Sequence, residues 1–416
     1  MTFKLTATVA LAASLACSMA IAGPRVLEET TRVVLPDRSY LPESVAVDGD
    51  SLIVVGFKSF PEQPGIPDAP AGEHAAMLFE RSSSGTWGFV KTLATLVSIP
   101  WQDYGEVMTV SMRDGVAAIM PDRVFERTSA GWVEAPSDRY GWIQKPPHGF
   151  PTGVDVDIQS GMILEGAGDC GVGAVLLEKD ATGTWARTNL FLAGSPDPDG
   201  CYSEFGGAAV DTSSNRVVVE VTDGLHIWNR NANRSWPQDA TAIVPLPADT
   251  QLSLYGPRSS LAAEGDYVVV RGSPQRGLHV VRNNGGWGLT DRFWRPDSVI
   301  VGDATGVEMA NGITPIGYPS DSLRAQDAGS VSVFQLNSSG NFDYVAKLTA
   351  SDASSGAGLG RHISLSGRRV VAATGAVAAV YVYDLPADLS QPAIVQSDFE
   401  DGTATGWLTI REAISR

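Results

Sequence analysis

Short runs of alternating or continuously apolar residues, separated by glycine-bearing turns, dominate the chain and return in one order. That order is an alternating strand, a tight turn, an apolar strand, a variable loop, a strand ending in an aromatic, a glycine turn and then tryptophan. The first copy reads Ser44 to Asp48, Gly49, Leu52 to Gly56, a long loop, Ala76 to Phe79, then Ser84-Gly85-Thr86-Trp87. Later copies put the first turn at Gly115, Gly161, Asn215, Gly265, Gly312 and Gly367, so six steps cover the 318 residues from Gly49 to Gly367 at a mean period of 53. Their second turns lead to Trp132, Trp185, Trp236, Trp287 and Phe342. Alternation predicts strands. Continuous runs such as Leu52-Ile53-Val54-Val55 and Val268-Val269-Val270 predict strands covered on both faces. Glycine or asparagine at each first turn supplies the positive φ of a two-residue hairpin.

A period near fifty with four strands has the size of a propeller blade. Seven copies therefore predict an all-β chain, a seven-bladed β-propeller of four-stranded antiparallel blades. The last copy ends at Asp384 without its glycine-tryptophan turn or fourth strand, whereas Val26 to Leu35 has the alternation of a fourth strand lacking its first three. Pairing the two predicts a ring closed by an N-terminal strand, with no open edge at the junction. Each tryptophan is expected to cover the outer edge of its own blade. The division is residues 1–22 as a signal peptide, 23–387 as the propeller, and 388–416 as linker and tail.

The signal assignment rests on Lys4, an apolar stretch from Leu5 to Ala16 and Ala20-Ile21-Ala22 ahead of Gly23-Pro24. The stretch is too short for a membrane span, and no later segment is long enough, so no transmembrane segment is expected. Ser14-Leu15-Ala16-Cys17 has the outline of a lipoprotein box without its leucine, leaving lipidation at Cys17 an open alternative. Export would place the protein outside the cytoplasm, as a secreted, periplasmic or cell-surface protein. The formal charge of −17 becomes −18 when Lys4 leaves with the signal. Such a field repels phosphate backbones and anionic lipid, which argues against nucleic-acid partners. Cys170 and Cys201 remain, and an oxidising compartment predicts one disulfide between them, worth roughly 3 to 4 kcal/mol by chain entropy. Two free thiols are the alternative.

The copy Lys347-Leu348-Thr349-Ala350-Ser351-Asp352, followed by Gly358-Leu359-Gly360-Arg361-His362-Ile363-Ser364-Leu365-Ser366-Gly367 and Ala379-Val380-Tyr381-Val382-Tyr383, resembles the FG-GAP-type repeats of secreted bacterial propellers, distantly similar to the integrin α propeller. The Phe-Gly step itself stands at Phe205-Gly206, with Tyr104-Gly105 and Leu359-Gly360 as relatives. That resemblance implies an extracellular binding or adhesion module. It also raises calcium, which such propellers hold in D-x-D-x-D-G loops. The nearest matches here, Asp155-Val156-Asp157 and Asp197-Pro198-Asp199-Gly200, read as a strand with its turn and as a loop too short for a full ligand set, so no metal or cofactor is expected. The tail Ser397-Asp398-Phe399-Glu400-Asp401-Gly402 to Trp407 resembles the opening strand of a carbohydrate-binding-like jelly roll, with nine residues after it.

Long connections predicted on one face run Lys58 to Glu73, Ser137 to Gly153, Ser195 to Gly206, Phe293 to Gly306 and Tyr318 to Ala328. Functional residues concentrate on such loops. They bring Trp101, Tyr104, Tyr140, Trp142, Tyr202, Trp294 and Tyr318 near Asp197, Asp199, Asp303, Asp321 and Asp327, a combination suited to stacking on and accepting hydrogen bonds from a carbohydrate or protein ligand. No nucleophile elbow, His-Glu-x-x-His helix or phosphate loop occurs, so no catalytic residue is assigned. His226 and His279 fall at equivalent third-strand positions, which repetition explains. The turns Ser82 to Trp87 and Asp180 to Trp185 resemble the sialidase Asp-box hairpin, but Ser83 and Ala181 hold its aspartate position. The expected function is binding through the long-loop face. The alternative is a polysaccharide hydrolase or lyase, whose carboxylates would converge from different blades.

Overall fold

The computed structural model describes residues 25–60, 72–98, 108–119, 123–137, 155–159, 161–166, 174–191, 205–211, 215–221, 224–247, 261–271, 278–293 and 305–389. These form a ring of seven blades. Strands β1 (Arg25–Glu28) and β2 (Thr31–Val34) precede blade one, which is β3 (Leu41–Asp48), β4 (Ser51–Ser59), β5 (Gly72–Arg81) and β6 (Trp87–Ser98). Blade two is β7 (Val110–Arg113), β8 (Val116–Ile119), β9 (Arg123–Thr128) and β10 (Gly131–Glu134); blade three is β11 (Asp155–Gln159), β12 (Met162–Gly166), β13 (Ala174–Lys179) and β14 (Trp185–Phe191). Blade four comprises β15 (Phe205–Asp211), β16 (Arg216–Val221), β17 (Gly224–Asn229) and β18 (Ala242–Val244), and blade five β19 (Leu261–Glu264), β20 (Tyr267–Arg271), β21 (Leu278–Asn283) and β22 (Trp287–Phe293). Blade six holds β23 (Ile313–Tyr318), β24 (Ser330–Leu336) and β25 (Phe342–Thr349); blade seven holds β26 (His362–Ser366), β27 (Arg369–Ala373) and β28 (Ala379–Asp384). All seven first-turn residues read from the repeat have positive φ, from 49° at Asn215 to 81° at Gly161.

Second strands are apolar throughout because alternate residues serve different interfaces. Leu52 and Val54 pack with blade seven, while Ile53 and Val55 pack with blade two. Val217 and Val219 likewise face blade three and Val218 faces blade five. Among the described residues the core is thus seven clusters, one for each junction between neighbouring blades.

The aromatic after each second turn crosses its junction instead of covering its own blade's edge, which corrects the expectation. Four of the six meet the first residue of the preceding blade's second strand, and the other two share a cluster with it. Trp132 Nε1 donates to Ser51 Oγ at 3.3 Å, and Trp185 and Trp236 share clusters with Val116 and Met162. The guanidinium groups of Arg369 and Arg216 stand 5.5 and 4.4 Å from the ring centres of Trp87 and Trp287. Phe342 packs edge-on to Tyr267 with centroids 5.7 Å apart. An aromatic ring suits every partner, because its face takes a cation or a methyl and its edge takes a ring.

A second repeated device lies at the tip of the first hairpin. The last residue of one blade's inner strand binds the next blade's turn. Ser366 Oγ accepts from Gly49 N at 3.1 Å, Asp48 Oδ2 from Gly115 N at 2.8 Å, and the Glu264 carboxylate from Asn311 N and Gly312 N at 2.7 and 2.9 Å. Arg369 and Arg216 add bonds to the carbonyls of Gly49 and Gly265. These bonds occupy turn groups that a two-residue hairpin leaves unpaired.

Closure follows the sequence expectation in outline and differs in detail. β2 pairs antiparallel with β28, from Thr31 opposite Val382 to Val34 opposite Ala379, and completes blade seven. The residues before it do not extend that strand. β1 lies parallel to β25, from Arg25 opposite Ala346 to Glu28 opposite Thr349, as an added outer layer on blade six. The innermost position of blade six is reduced to the bridges Val307 to Ile316 and Ala310 to Ile313. Pro315 has no N–H to return to Glu308, whose own N–H reaches the Pro315 carbonyl at 3.3 Å, so a regular ladder cannot form. Packing continues to Leu389, which is buried beside Leu27 and Leu385, two residues past the boundary read from the sequence.

Candidate functional site

Strand direction gives the ring two unlike faces. The turns between first and second strands and the glycine turns between third and fourth strands, the third connections of each blade, share one face. There the third-turn hairpins are tight and self-capped: Gly85, Gly183 and Gly340 have φ of 86°, 83° and 82°, and Ser82 Oγ, Asp180 Oδ1 and Asn337 Oδ1 accept from the N–H groups of Thr86, Thr184 and Asn341. Hydrogen bonds from Thr182 and Thr184 hold the Asp180 carboxyl below its ordinary range. The Asp-box-like turns are therefore hairpins whose polar cap stands three residues before the glycine.

The opposite face carries the second-to-third-strand loops and the links between blades. Most of its length, including Trp101, Tyr104, Tyr140, Trp142, Tyr202 and Trp294, lies outside the described residues, as do Cys170, Cys201, Asp197, Asp199, Asp303 and His148. Tyr318 is described. It ends β23 and is only 9% exposed, packed with Val307, Met309, Ile316 and Phe334 between blades five and six. Its ring is thus a core group beneath the loop that follows it.

That loop, residues 319–329, is held closed at its base. Asp321 accepts from Leu323 N at 3.0 Å through Oδ1, and from Ser330 Oγ at 2.5 Å through Oδ2, which also faces Lys347 Nζ at 2.9 Å. Residues 356–360 thread between this loop and β27, with Gly356, Gly358 and Leu359 donating to the carbonyls of Gln326, Asp327 and Ala328, and Gly360 to that of Ala373. Space there excludes side chains: a Cβ on Gly317 would lie 1.9 Å from Gly360 O, and one on Gly329 2.2 Å from Leu359 N. The Leu359-Gly360 step is a close-packing requirement between two blades.

At the same junction Tyr381 Oη donates to Asp352 at 2.7 Å, and Arg32 reaches that carboxylate at 2.8 Å. Burial, then the Asp352 bond, pushes the Tyr381 phenol well above its ordinary range. Near blade one, burial and a 2.5 Å bond to Glu73 push Tyr40 up to about 12.

The channel at the ring's centre is lined by the inner strands. Ser44, Thr109, Thr305 and His362 line it toward the long-loop face, Ser111, Asp157, Glu308 and Ser364 line its middle, and Arg113 lies at its hairpin end. Several of these groups also tie blades together: Ser44 Oγ accepts from Val110 N, Ser364 Oγ from Val47 N, and Thr305 Oγ1 donates to Gly360 O. Sequence reasoning missed the channel because its described lining is shared among six blades, each contributing three to five residues, and no local spacing joins them. Asp155 and Asp157 sit in β11 as expected, Asp157 on the channel wall. His226 and His279 occupy equivalent places opposite Val219 and Val270, as the repeat predicted. Among the described residues no group of three or more metal-ligating side chains comes together, and no helix is long and apolar enough to cross a membrane.

These seven sheets define the class, a seven-bladed β-propeller. No protein-family model matches the chain, and no curated protein matches it. Among solved structures it is similar to Myxococcus xanthus glutaminyl cyclase, at 12% identity and a TM-score of 0.32, over 57% of this chain and 94% of that one. It is also similar to the WD40 propeller domain of Doa1, at 10% identity and a TM-score of 0.44, over 87% of this chain and 98% of that one.

Proposed function

We propose that the protein is a secreted or cell-surface binding or adhesion propeller that recognises a carbohydrate or protein ligand on its long-loop face. The observation that carries this reading is the inequality of the faces. On the hairpin face, turn groups are occupied by bonds to the neighbouring blade, whereas the long connections and the polar channel mouth lie opposite. The signal-like first 22 residues, the FG-GAP-like copy at 347–383 and the aromatics Trp101, Tyr104, Tyr140, Trp142, Tyr202 and Trp294 agree with it. The enzyme reading, a polysaccharide hydrolase or lyase, has one observation in its favour: Asp157 and Glu308 both line the channel.

The test is retention of the purified mature protein on a panel of glycans and surface polymers, with product release scored alongside. Binding without turnover, weakened by Trp142→Ala and unchanged by Asp114→Lys on the hairpin face, is the expected outcome. Oligosaccharide release abolished by Glu308→Gln would overturn it in favour of the enzyme. Loss of retention with chelator would make calcium part of the site.

A further inference from the structure

The base of the blade-six loop does more than close it. Asp321 and Lys347 form an ion pair with both side chains at least nine-tenths buried, 5% and 3% exposed. A buried ion pair gives little net stability over an apolar pair of the same volume. Its surroundings supply the parts of an acyl-transfer site. The amine lies 2.9 Å from Asp321 Oδ2, and Ser330 Oγ–H is 2.5 Å from the same oxygen. The Leu323 N–H points at the other oxygen, Oδ1, from 3.0 Å. The aspartate backbone is fixed as well, since its carbonyl accepts from Gly329 N at 2.8 Å.

We propose that Lys347 and Asp321 join in an intramolecular isopeptide bond in the folded protein. One proton passes from the Nζ ammonium to Oδ2, converting the ion pair to a neutral amine and acid. Nζ then attacks Cγ, and the charge that develops on Oδ1 is held by the Leu323 N–H, as in an oxyanion hole. A second proton leaves the nitrogen and reaches Oδ2 through Ser330, whose hydroxyl gives one proton and takes another. The Cγ–Oδ2 bond breaks and water departs. Three ammonium protons are thus divided into one on the amide and two in the water, with no oxidant or other reactant. Two features favour the product. Fixed geometry gives neighbouring groups effective concentrations of about 10⁵ M or more, and exchanging two buried charges for a neutral amide removes their desolvation cost. The bond would tie the loop base to β25, the strand on which β1 lies.

The experiment is the intact mass of the purified mature protein, followed by peptide mapping. The expected mass is lower than calculated by one water, about 18 Da, with a branched peptide containing both Asp321 and Lys347. Lys347→Arg keeps the charge but removes the amine nucleophile, and should restore the full calculated mass. Asp321→Asn should form the same amide by losing ammonia, about 17 Da, in place of water. Full mass in the unaltered protein would overturn the proposal, as would a deficit that persists in Lys347→Arg. Should Lys347→Arg fail to fold, the choice between ammonia and water in Asp321→Asn decides. Loss of water there would also overturn it.

Discussion

The junctions between blades one to six and the junction that closes the ring solve the same problem with different chemistry. An ordinary junction has an apolar cluster and an aromatic that crosses to the preceding blade. Blade seven has no such aromatic, because β2 arrives from the other end of the chain and begins with Thr31. Polar ties replace it: Arg324 to Glu28 at 2.7 Å, Ser351 to Glu29 at 2.8 and 2.6 Å, and Arg32 to Asp352 at 2.8 Å. Exposed pairs of this kind contribute little each. What holds the closure is the β2 ladder and the burial of Val33 and Leu35, while the charges set where the strap lies. An ordinary junction is built from near neighbours in sequence, and the closing one pairs residues from 296 to more than three hundred positions apart.

The comparison can be broken most severely by removing residues 25–35. Burial of Val33 and Leu35 alone is worth about 3 to 6 kcal/mol, and β28 loses its outer partner. The truncated protein is expected to melt at least ten degrees lower, roughly the effect of several kcal/mol on one cooperative unit, with a broadened transition by circular dichroism. An unchanged melting curve would show that the strap is ornamental. Next in size is Trp132→Ala at an ordinary junction, expected to cost about 3 to 5 kcal/mol in urea unfolding. A loss below 1 kcal/mol would mean that the crossing aromatics do not hold the blades.

Both devices differ in how far they were legible. The blade count, the seven first turns and the second strands could be read from Gly49 to Gly367 because each is local and repeated. The direction of the tryptophans could not, since Trp132 and Ser51 lie 81 positions apart and only the ring brings them together. The strap was legible as an alternating segment, but its division at Glu29 and Thr30 was not. Nothing in the alternation separates a parallel partner from an antiparallel one. For the site, loop length pointed to a face and the channel escaped notice, while Tyr318 illustrates the ambiguity of loop aromatics: the same residue type serves ligand or core according to where a strand ends.

Smaller effects sharpen the picture. Asp48→Ala removes one grip between hairpins and should cost about 1 kcal/mol, because the Gly115 N–H can turn to water. Equal stability would restrict the grips to fixing register. The Tyr40 effect shows only in alkaline solution. Its pKa near 12 when folded, against 10 for an ordinary tyrosine, means the native state keeps a proton that the unfolded chain releases. The stabilisation is full below pH 10 and fades as pH rises toward 12, a trend that Tyr40→Phe should weaken in alkaline unfolding curves, with Tyr381 and Tyr383 keeping their own share.

The most direct test of a ring fastened by its own N-terminal strand is hydrogen exchange at β28. Amides of Val380 and Val382, the ones that face β2, should be among the slowest to exchange in the intact protein, fast in the protein lacking residues 25–35, and slow again when a peptide of residues 25–35 is added in trans. Protection at β28 that is the same with and without the strap would contradict the account.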